Sequence, residues 1–175
     1  DYRHDVAISS GILKQISEAY RKIRNTCRYL LGNLYDFEPT RDKVPYENLL
    51  EIDQWALLKL HQLINKVTEA YQNYEFHTVY HNIHNFCAVE MSAFYLDVIK
   101  DRLYTFKADS RERKSAQTVM YEIILALVKM LTPILAFTTE EIWQYLPHDE
   151  AKSTVQLAKW PVFEERYLDT ELEEK

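Results

Sequence analysis

Glycine is scarce in this chain of 175 residues, which contains only Gly11 and Gly32. Loops that cradle a phosphate on successive glycine backbones therefore have no counterpart in the sequence. Long helices joined by short connections are the natural expectation, because turns that need a positive φ are rare. Cysteine is equally scarce. Cys27 and Cys87 are too few and too far apart for a zinc ribbon or a redox pair, so we expect two buried free thiols in a reducing compartment.

The sequence also lacks a long apolar run. Its start has no apolar signal-peptide core, and its most apolar stretch, residues 123–137, is broken by Lys129 and Pro133. That stretch is shorter than the roughly 20 residues that span a bilayer, so we expect a buried helix, no membrane segment and a cytoplasmic location. No nucleophile elbow or Ser–His–acid pattern is present, and no catalytic residue is predicted.

The residues that are present fit a single helical bundle. Hydrophobic residues make up 47% of the chain and charged residues 27%, which is ordinary for a globular domain with a substantial core. Apolar periodicity and capping residues predict four long helices and a short fifth, over about residues 9–34, 46–74, 77–103, 111–131 and 139–145. The third is apolar on more than one side, which is typical of a helix at the centre of a bundle.

Pro147 is expected to end the fifth helix. Residues 148–175 are then predicted as an extended segment that packs on the bundle or leaves it. This segment has one β-like stretch, residues 154–158, and an acidic, frayed helix from Glu164. The predicted fold class is therefore all-α, with a bundle over residues 1–147 followed by an extended C-terminal segment.

Positive charge is concentrated in one part of a chain whose formal net charge is -6. Residues 1–35 carry six Lys and Arg side chains against three acidic ones, whereas residues 115–175 carry five against eleven. The net charge alone argues against a nucleic-acid partner. The uneven distribution of charge keeps a nucleic-acid partner among the alternatives, because phosphate binding depends on the local potential.

The strongest concentration of positive charge lies in the first predicted helix. At roughly 100° per residue, Lys14, Arg21 and Arg28 line up on one side of this helix. The opposite face is apolar and is expected to face the core; it consists of Ile12, Ile16, Ala19, Ile23, Cys27, Leu30 and Leu34. The candidate phosphate contacts in this basic stripe are Arg21, Lys22, Arg24, Asn25 and Arg28. A second basic cluster surrounds the turn between the third and fourth helices: Lys100, Arg102, Arg111, Arg113 and Lys114.

Ordinary explanations compete with each of these patterns. The basic stripe fits a solvated helix face, and the whole bundle fits a protein–protein interaction module without RNA binding. His77, His81 and His84 share one flank of the third helix at a spacing that can present imidazoles to zinc. Residue 78 is Thr, however, so the H-E-x-x-H pattern is absent and no cysteine joins the set. We favour packing for these histidines and predict no metal site.

Four segments of the chain, taken in order, resemble the bacterial isoleucyl-tRNA synthetases, which are class I aminoacyl-tRNA synthetases. They are residues 20–33 (YRKIRNTCRYLLGN), 89–104 (VEMSAFYLDVIKDRLY), 131–147 (LTPILAFTTEEIWQYLP) and 157–161 (LAKWP). The resemblance covers nearly the whole chain. The HIGH and KMSKS signatures of that family, its editing domain and its cysteine-rich zinc module do not occur here. The chain therefore looks like an excised helical anticodon-binding domain.

The resemblance implies a binding role within a ligase. The parent enzyme would use ATP and Mg to attach isoleucine to its tRNA, with zinc in the missing C-terminal module and no cofactor in this fragment. The implied partners are the anticodon stem-loop of tRNA(Ile) and the catalytic domain of the same chain, and the fragment is expected to be a monomer. The individual phosphate-contact candidates come from the geometry of the two basic clusters and are not carried over from the family.

Overall fold

A computed structural model describes residues 5–147, 154–169 and 172. Over these residues the chain is helical and has no β-strand, which confirms the predicted all-α class. The α-helices are α1 (Ser10–Gly32), α2 (Pro39–Asp42), α3 (Glu51–Gln72), α4 (Phe76–Asn85), α5 (Leu96–Val98), α6 (Lys100–Thr105), α7 (Arg111–Leu131) and α8 (Ala136–Trp143). A π-helix, Phe86–Tyr95, joins α4 to α5, and Tyr46–Asn48, Val155–Leu157 and Glu165–Tyr167 form 3₁₀ turns.

Serine caps set the starts of two long helices. The Ser9 hydroxyl accepts a hydrogen bond from the amide of Ile12 at 3.2 Å, which satisfies a donor in the first turn of α1. The Ser110 hydroxyl accepts from the amide of Arg113 at 3.3 Å at the start of α7. Both starts agree with the prediction, as does the end of α7. α1 ends at Gly32, two residues before the predicted Leu34.

The second long helix is shorter than predicted. A 3₁₀ turn over Tyr46–Asn48 precedes it, and α3 begins only at Glu51. The amide of Leu50 donates to the Ser115 hydroxyl at 3.0 Å, so the chain before α3 is fixed to α7. At its other end Tyr74 has a φ of 56°, the left-handed conformation that commonly ends a helix.

The third long helix is not one regular α-helix. Its middle ten residues, Phe86–Tyr95, form a π-helix, and a further irregularity at Ile99 separates α5 from α6. The Ser92 hydroxyl donates to the carbonyl of Cys87, five residues back, at 2.7 Å. π-Helices are rare and often occur at functional sites. The span predicted for the third helix, about residues 77–103, is thus helical except at Ile99, but it is not one regular α-helix.

The centre of the bundle is α7, not the third helix as predicted. α7 is buried on all sides, with Val119, Ile123 and Leu127 fully inaccessible, and it packs against α1, α3, α6 and α8. On the third helix Val89 and Phe94 are 50% and 45% exposed. Its apolar residues on a second side are therefore left at the surface.

The core-facing stripe predicted for α1 is buried only in its second half. Ile23, Cys27 and Leu30 are at most 3% exposed, whereas Ile12 and Ile16 are 38% and 56% exposed. The apolar side chains of the first half of α1 therefore lie largely at the surface. The predicted burial is wrong for this half.

The short C-terminal helix begins earlier than predicted, and the described residues after it form no β-structure. α8 starts at Ala136, so Thr139 lies within the helix, where its hydroxyl bonds back to the carbonyl of Leu135 at 3.1 Å. The predicted β-like stretch is a 3₁₀ turn that Thr154 caps. The Thr154 hydroxyl also donates to Glu140 at 2.6 Å, which lowers the pKa of that carboxyl.

The C-terminal segment, residues 154–169, runs back over α3. The indole of Trp160 donates to the Thr68 hydroxyl at 2.9 Å, and the Tyr167 ring lies 4.4 Å from the imidazole of His61. The amide of Glu164 donates to Nδ1 of His61 at 3.1 Å. In the predicted acidic helix from Glu164, residues 165–167 form a 3₁₀ turn, and residues 170, 171 and 173–175 lie outside the described residues. Residues 148–153 also lie outside them, and the predicted division after residue 147 stays a prediction.

Candidate nucleic-acid interface

The second half of α1 presents two chemically opposite faces. Ile23 and Cys27 point into the core, while Arg21, Arg24 and Arg28 are exposed on the other side. Helical periodicity predicts this separation, because apolar side chains drive one face into the bundle and leave the cations in water. The basic stripe of α1 is thus on the surface, as predicted.

The cations of this stripe have no internal ion pairs with the described residues. In the part of the chain that the structure describes, Arg21, Lys22, Arg24 and Arg28 have no carboxylate within 4.0 Å. Lys14, Arg21 and Arg28 are seven residues apart, so α1 spaces them at roughly 10 Å intervals along one side. Such a row leaves its charge available to an anionic partner.

The end of the third helix lies beside this stripe. A small groove of about 250 Å³ between them is lined by Lys22, Asn25 and Tyr29 on α1 and by Lys100 at the start of α6. Lys100 pairs with the exposed Asp97, an interaction in open solvent that leaves the ammonium accessible. The structure therefore brings one residue of the second basic cluster next to the first.

Two other residues of the second cluster hold the bundle together. Arg102 donates to the fully buried Asp53 at 2.9 Å and is itself only 12% exposed. Arg113 pairs with Asp36 at 2.8 Å and is 8% exposed. Their guanidinium groups already have carboxylate partners, so they are weaker candidates for phosphate contacts than the cations of α1.

The last two cations of that cluster contact α2 and the 3₁₀ turn before α3. Lys114 lies 3.0 Å from the buried Asp42, which also pairs with Arg41; the Arg41 contact chiefly holds the pKa of this carboxyl well below its usual range. Arg111 donates twice to the carbonyl of Asn48, at 3.2 and 2.9 Å, yet its side chain stays exposed. Arg111 and Lys100 are thus the more accessible residues of the second cluster.

Sequence reasoning missed a larger aromatic groove beside the basic stripe. It has a volume of about 790 Å³ and lies between the end of α1 and α6. Tyr35, Tyr104 and Phe106 contribute rings that are 78%, 67% and 47% exposed. Arg28 and Asn25 of the stripe line the same groove. The sequence pointed to Asn25 and Arg28 only as phosphate contacts, because the segments that carry the three rings are brought together by tertiary packing.

Two histidines of α4 lie beside the ring of Tyr80, although His77 and His81 are exposed. The Tyr80 ring lies 5.4 Å from the imidazole of His81 and stacks on that of His84 at 6.1 Å. Nowhere among residues 5–147, 154–169 and 172 do three His, Cys, Asp or Glu side chains come together to hold a metal ion. Cys27 and Cys87 are buried free thiols, as predicted. No helix within the described residues has the length and apolarity needed to cross a membrane.

Residues 53–175 match a family described as the anticodon-binding domain of tRNA ligase. The chain belongs to this family. It is 64% identical to isoleucine–tRNA ligase of Moorella thermoacetica over 176 aligned positions and 62% identical to that of Carboxydothermus hydrogenoformans over 174. The corresponding protein of Syntrophomonas wolfei is 56% identical over 175 positions.

These alignments cover 99–100% of the chain but only 19% of each relative. The chain therefore spans about a fifth of the length of the curated relatives it matches. The similarity to isoleucine–tRNA ligases extends to the α1 segment that precedes the matched residues 53–175.

Proposed function

We propose that this chain is the part of an isoleucine–tRNA ligase that binds the anticodon stem-loop of tRNA(Ile). The single observation that carries the proposal is the exposed basic stripe of α1, with Lys100 beside it, in a member of the anticodon-binding domain family. Phosphate contacts from this surface would fix the position of the stem-loop, and so direct the acceptor end of the tRNA to a distant catalytic domain.

The preferred phosphate contacts are Arg21, Lys22, Arg24, Asn25 and Arg28, followed by Lys100 and Arg111. The whole ligase would work as a cytoplasmic monomer that uses ATP and Mg to attach isoleucine to the tRNA. The zinc is proposed for the C-terminal module of the ligase, which is not part of this chain's resemblance. No chemical step is assigned to the residues of this chain.

The test is binding of the 175-residue chain to a labelled tRNA(Ile) transcript at a series of salt concentrations. The logarithm of the association constant should fall with the logarithm of salt concentration, by about 0.7 to 0.9 per phosphate neutralised. The double variant Arg21→Glu/Arg28→Glu should weaken binding and reduce this slope. Circular dichroism of the same variant should match the parent chain, since both side chains are exposed.

A matched control separates local charge from net charge. Lys66→Glu/Lys159→Glu makes the same change in net charge at exposed residues of α3 and the C-terminal segment. This control should bind tRNA nearly as well as the parent chain. Equal losses in the two double variants, or the absence of salt-dependent binding to any tRNA, would contradict the proposal.

A further inference from the structure

A groove of about 700 Å³ lies between α3, α7 and the C-terminal segment, and the proposed tRNA-binding surface does not use it. Apolar side chains of α3 and α7, among them Leu60, Ile64 and Leu125, line one side of this groove. The rings of Trp160 and Tyr167 line the side that the C-terminal segment forms. Small-molecule sites typically have volumes of about 300–1,000 Å³ and mostly apolar walls with a few polar groups. The groove therefore has the size and lining of a ligand site.

His61 is a buried polar group in this lining, with 7% of its surface exposed. Nδ1 of its ring accepts a hydrogen bond from the amide of Glu164 at 3.1 Å. Burial lowers the pKa of His61, against the opposite effect of Glu164 and Glu122, so the ring is neutral near pH 7 and carries its proton on Nε2. Among the described residues, Nε2–H has no hydrogen-bond acceptor. A buried donor of this kind calls for a partner.

The charges around the groove favour an anionic partner for that donor. Four of the lining residues are Lys or Arg, and three are Glu. Two of the three carboxylates are already paired, Glu122 with Lys43 at 2.5 Å and Glu164 with Arg166 at 2.6 Å. Lys159 is exposed and has no carboxylate within 4.0 Å among the described residues. Its charge is therefore available to a ligand of the groove.

We propose that this groove binds a small organic carboxylate with an apolar body. The carboxylate accepts the hydrogen bond of Nε2–H of His61, and Lys159 supplies a positive charge at the rim. The apolar body packs on Leu125 and beside the Trp160 ring. The site goes beyond the proposed function, because none of its lining residues belongs to α1 and its ligand is not RNA.

The probe is naphthoate, which combines a carboxylate with a flat apolar body. At the ligand efficiency usual for drug-sized molecules, its dissociation constant should be about 1 mM or lower. Titration into the isotopically labelled chain, followed by NMR, should shift the backbone amide of Glu164 and the ring nitrogen Nε2 of His61. The amides of α1 should stay unchanged. Naphthamide, the neutral counterpart, should bind about fivefold more weakly, because it offers no charged acceptor.

His61→Phe tests the donor, because it keeps an aromatic ring and removes Nε2–H. The variant should weaken naphthoate binding about tenfold or more, the effect of one hydrogen bond to a charged group. It should also lose the preference for naphthoate over naphthamide. His81→Phe removes an exposed imidazole of α4 and is the matched control, with unchanged affinity expected.

Leu125→Trp tests the groove with His61 intact, since His61→Phe also removes the hydrogen bond from the amide of Glu164. Leu125 is half-buried on α7, and the larger side chain should fill the groove and abolish binding. Circular dichroism of this variant should match that of the parent chain.

The outcomes separate this site from the tRNA-binding proposal. Naphthoate shifts scattered over surface lysines, or an affinity that neither His61→Phe nor Leu125→Trp changes, would overturn the site. The absence of shifts at naphthoate concentrations well above about 1 mM would overturn it too. Equal affinities for naphthoate and naphthamide would overturn the carboxylate as the group that is recognised. None of these results depends on whether the chain binds tRNA.

Discussion

The carboxylate of Asp53 accepts a hydrogen bond from the guanidinium of Arg102 at 2.9 Å in the interior of the bundle. Asp53 is fully buried, and it also accepts from Tyr95 at 2.7 Å and from Ser115 at 2.5 Å. One carboxylate on α3 thus ties together the π-helix, α6 and α7. The network fixes the position of α6 and therefore of Lys100 and the aromatic groove.

Asp53→Asn should destabilise the bundle. The substitution leaves the guanidinium of Arg102 without its counter-charge, and breaking a buried ion pair costs about 3–5 kcal/mol. Urea unfolding followed by circular dichroism measures the loss. Asp97→Asn removes a carboxylate that pairs with Lys100 in solvent and should barely move the unfolding midpoint. Similar midpoints for the two variants would contradict a structural role for Asp53.

Local sequence patterns predicted the helices whose ends and faces depend on capping residues and apolar periodicity. Ser110 followed by a long periodic apolar segment predicted α7 at both ends, because capping and amphipathicity act within a few residues. The stretch after Thr154 alternates apolar and polar residues, and this pattern was misread as β-structure. The contact that shapes it comes from Glu140, which the turn reaches only after the chain folds back.

The same limit applies to the candidate interface. The exposure of Arg21 and Arg28 follows from helical periodicity alone, so it could be predicted. The ion pairs of Arg102 and Arg113 could not be predicted, because their carboxylate partners lie in other helices and loops far along the chain. A basic cluster in the sequence does not reveal which of its cations are internally paired.

Leu30→Ala and Ile16→Ala should differ sharply in their effects on stability. Leu30 is fully buried where α1 meets the core, and truncating such a leucine costs about 2–5 kcal/mol. Ile16 is 56% exposed in the first half of α1, and surface substitutions usually change stability by less than about 0.5 kcal/mol. Urea titration of both variants measures the difference. A large loss for Ile16→Ala would mean that this half of α1 is packed in solution.

Both cysteines should resist thiol reagents in the folded chain. Burial raises the pKa of Cys27 to about 12 and the pKa of Cys87 further still, so almost no thiolate exists near neutral pH. Ellman's reagent at pH 8 should react with neither cysteine until urea unfolds the chain, and then with both. Ser17→Cys places a thiol on the exposed side of α1 and should react at once. Rapid labelling of the parent chain would contradict this prediction.

Stability should fall as the pH drops below about 6.5, the ordinary pKa of histidine, because of His61. Burial lowers the pKa of His61 in the folded chain, although Glu164 and Glu122 act in the opposite direction. The unfolded chain therefore binds the proton more readily, and the stabilisation present above that pH is lost on acidification. A protonated Nδ1 also ceases to accept the hydrogen bond from the amide of Glu164.

His61→Phe isolates this contribution, because it keeps an aromatic ring against Tyr167 and removes the titrating group. Between pH 7.5 and 5.5, the free energy of unfolding should decline less in this variant than in the parent chain. His81→Phe, which removes an exposed imidazole of α4, is the matched control and should keep the steeper decline. Carboxylates titrate in all three chains, so the contribution of His61 is the difference between the declines in the free energy of unfolding. If the three declines are equal, protonation of His61 does not loosen the C-terminal segment.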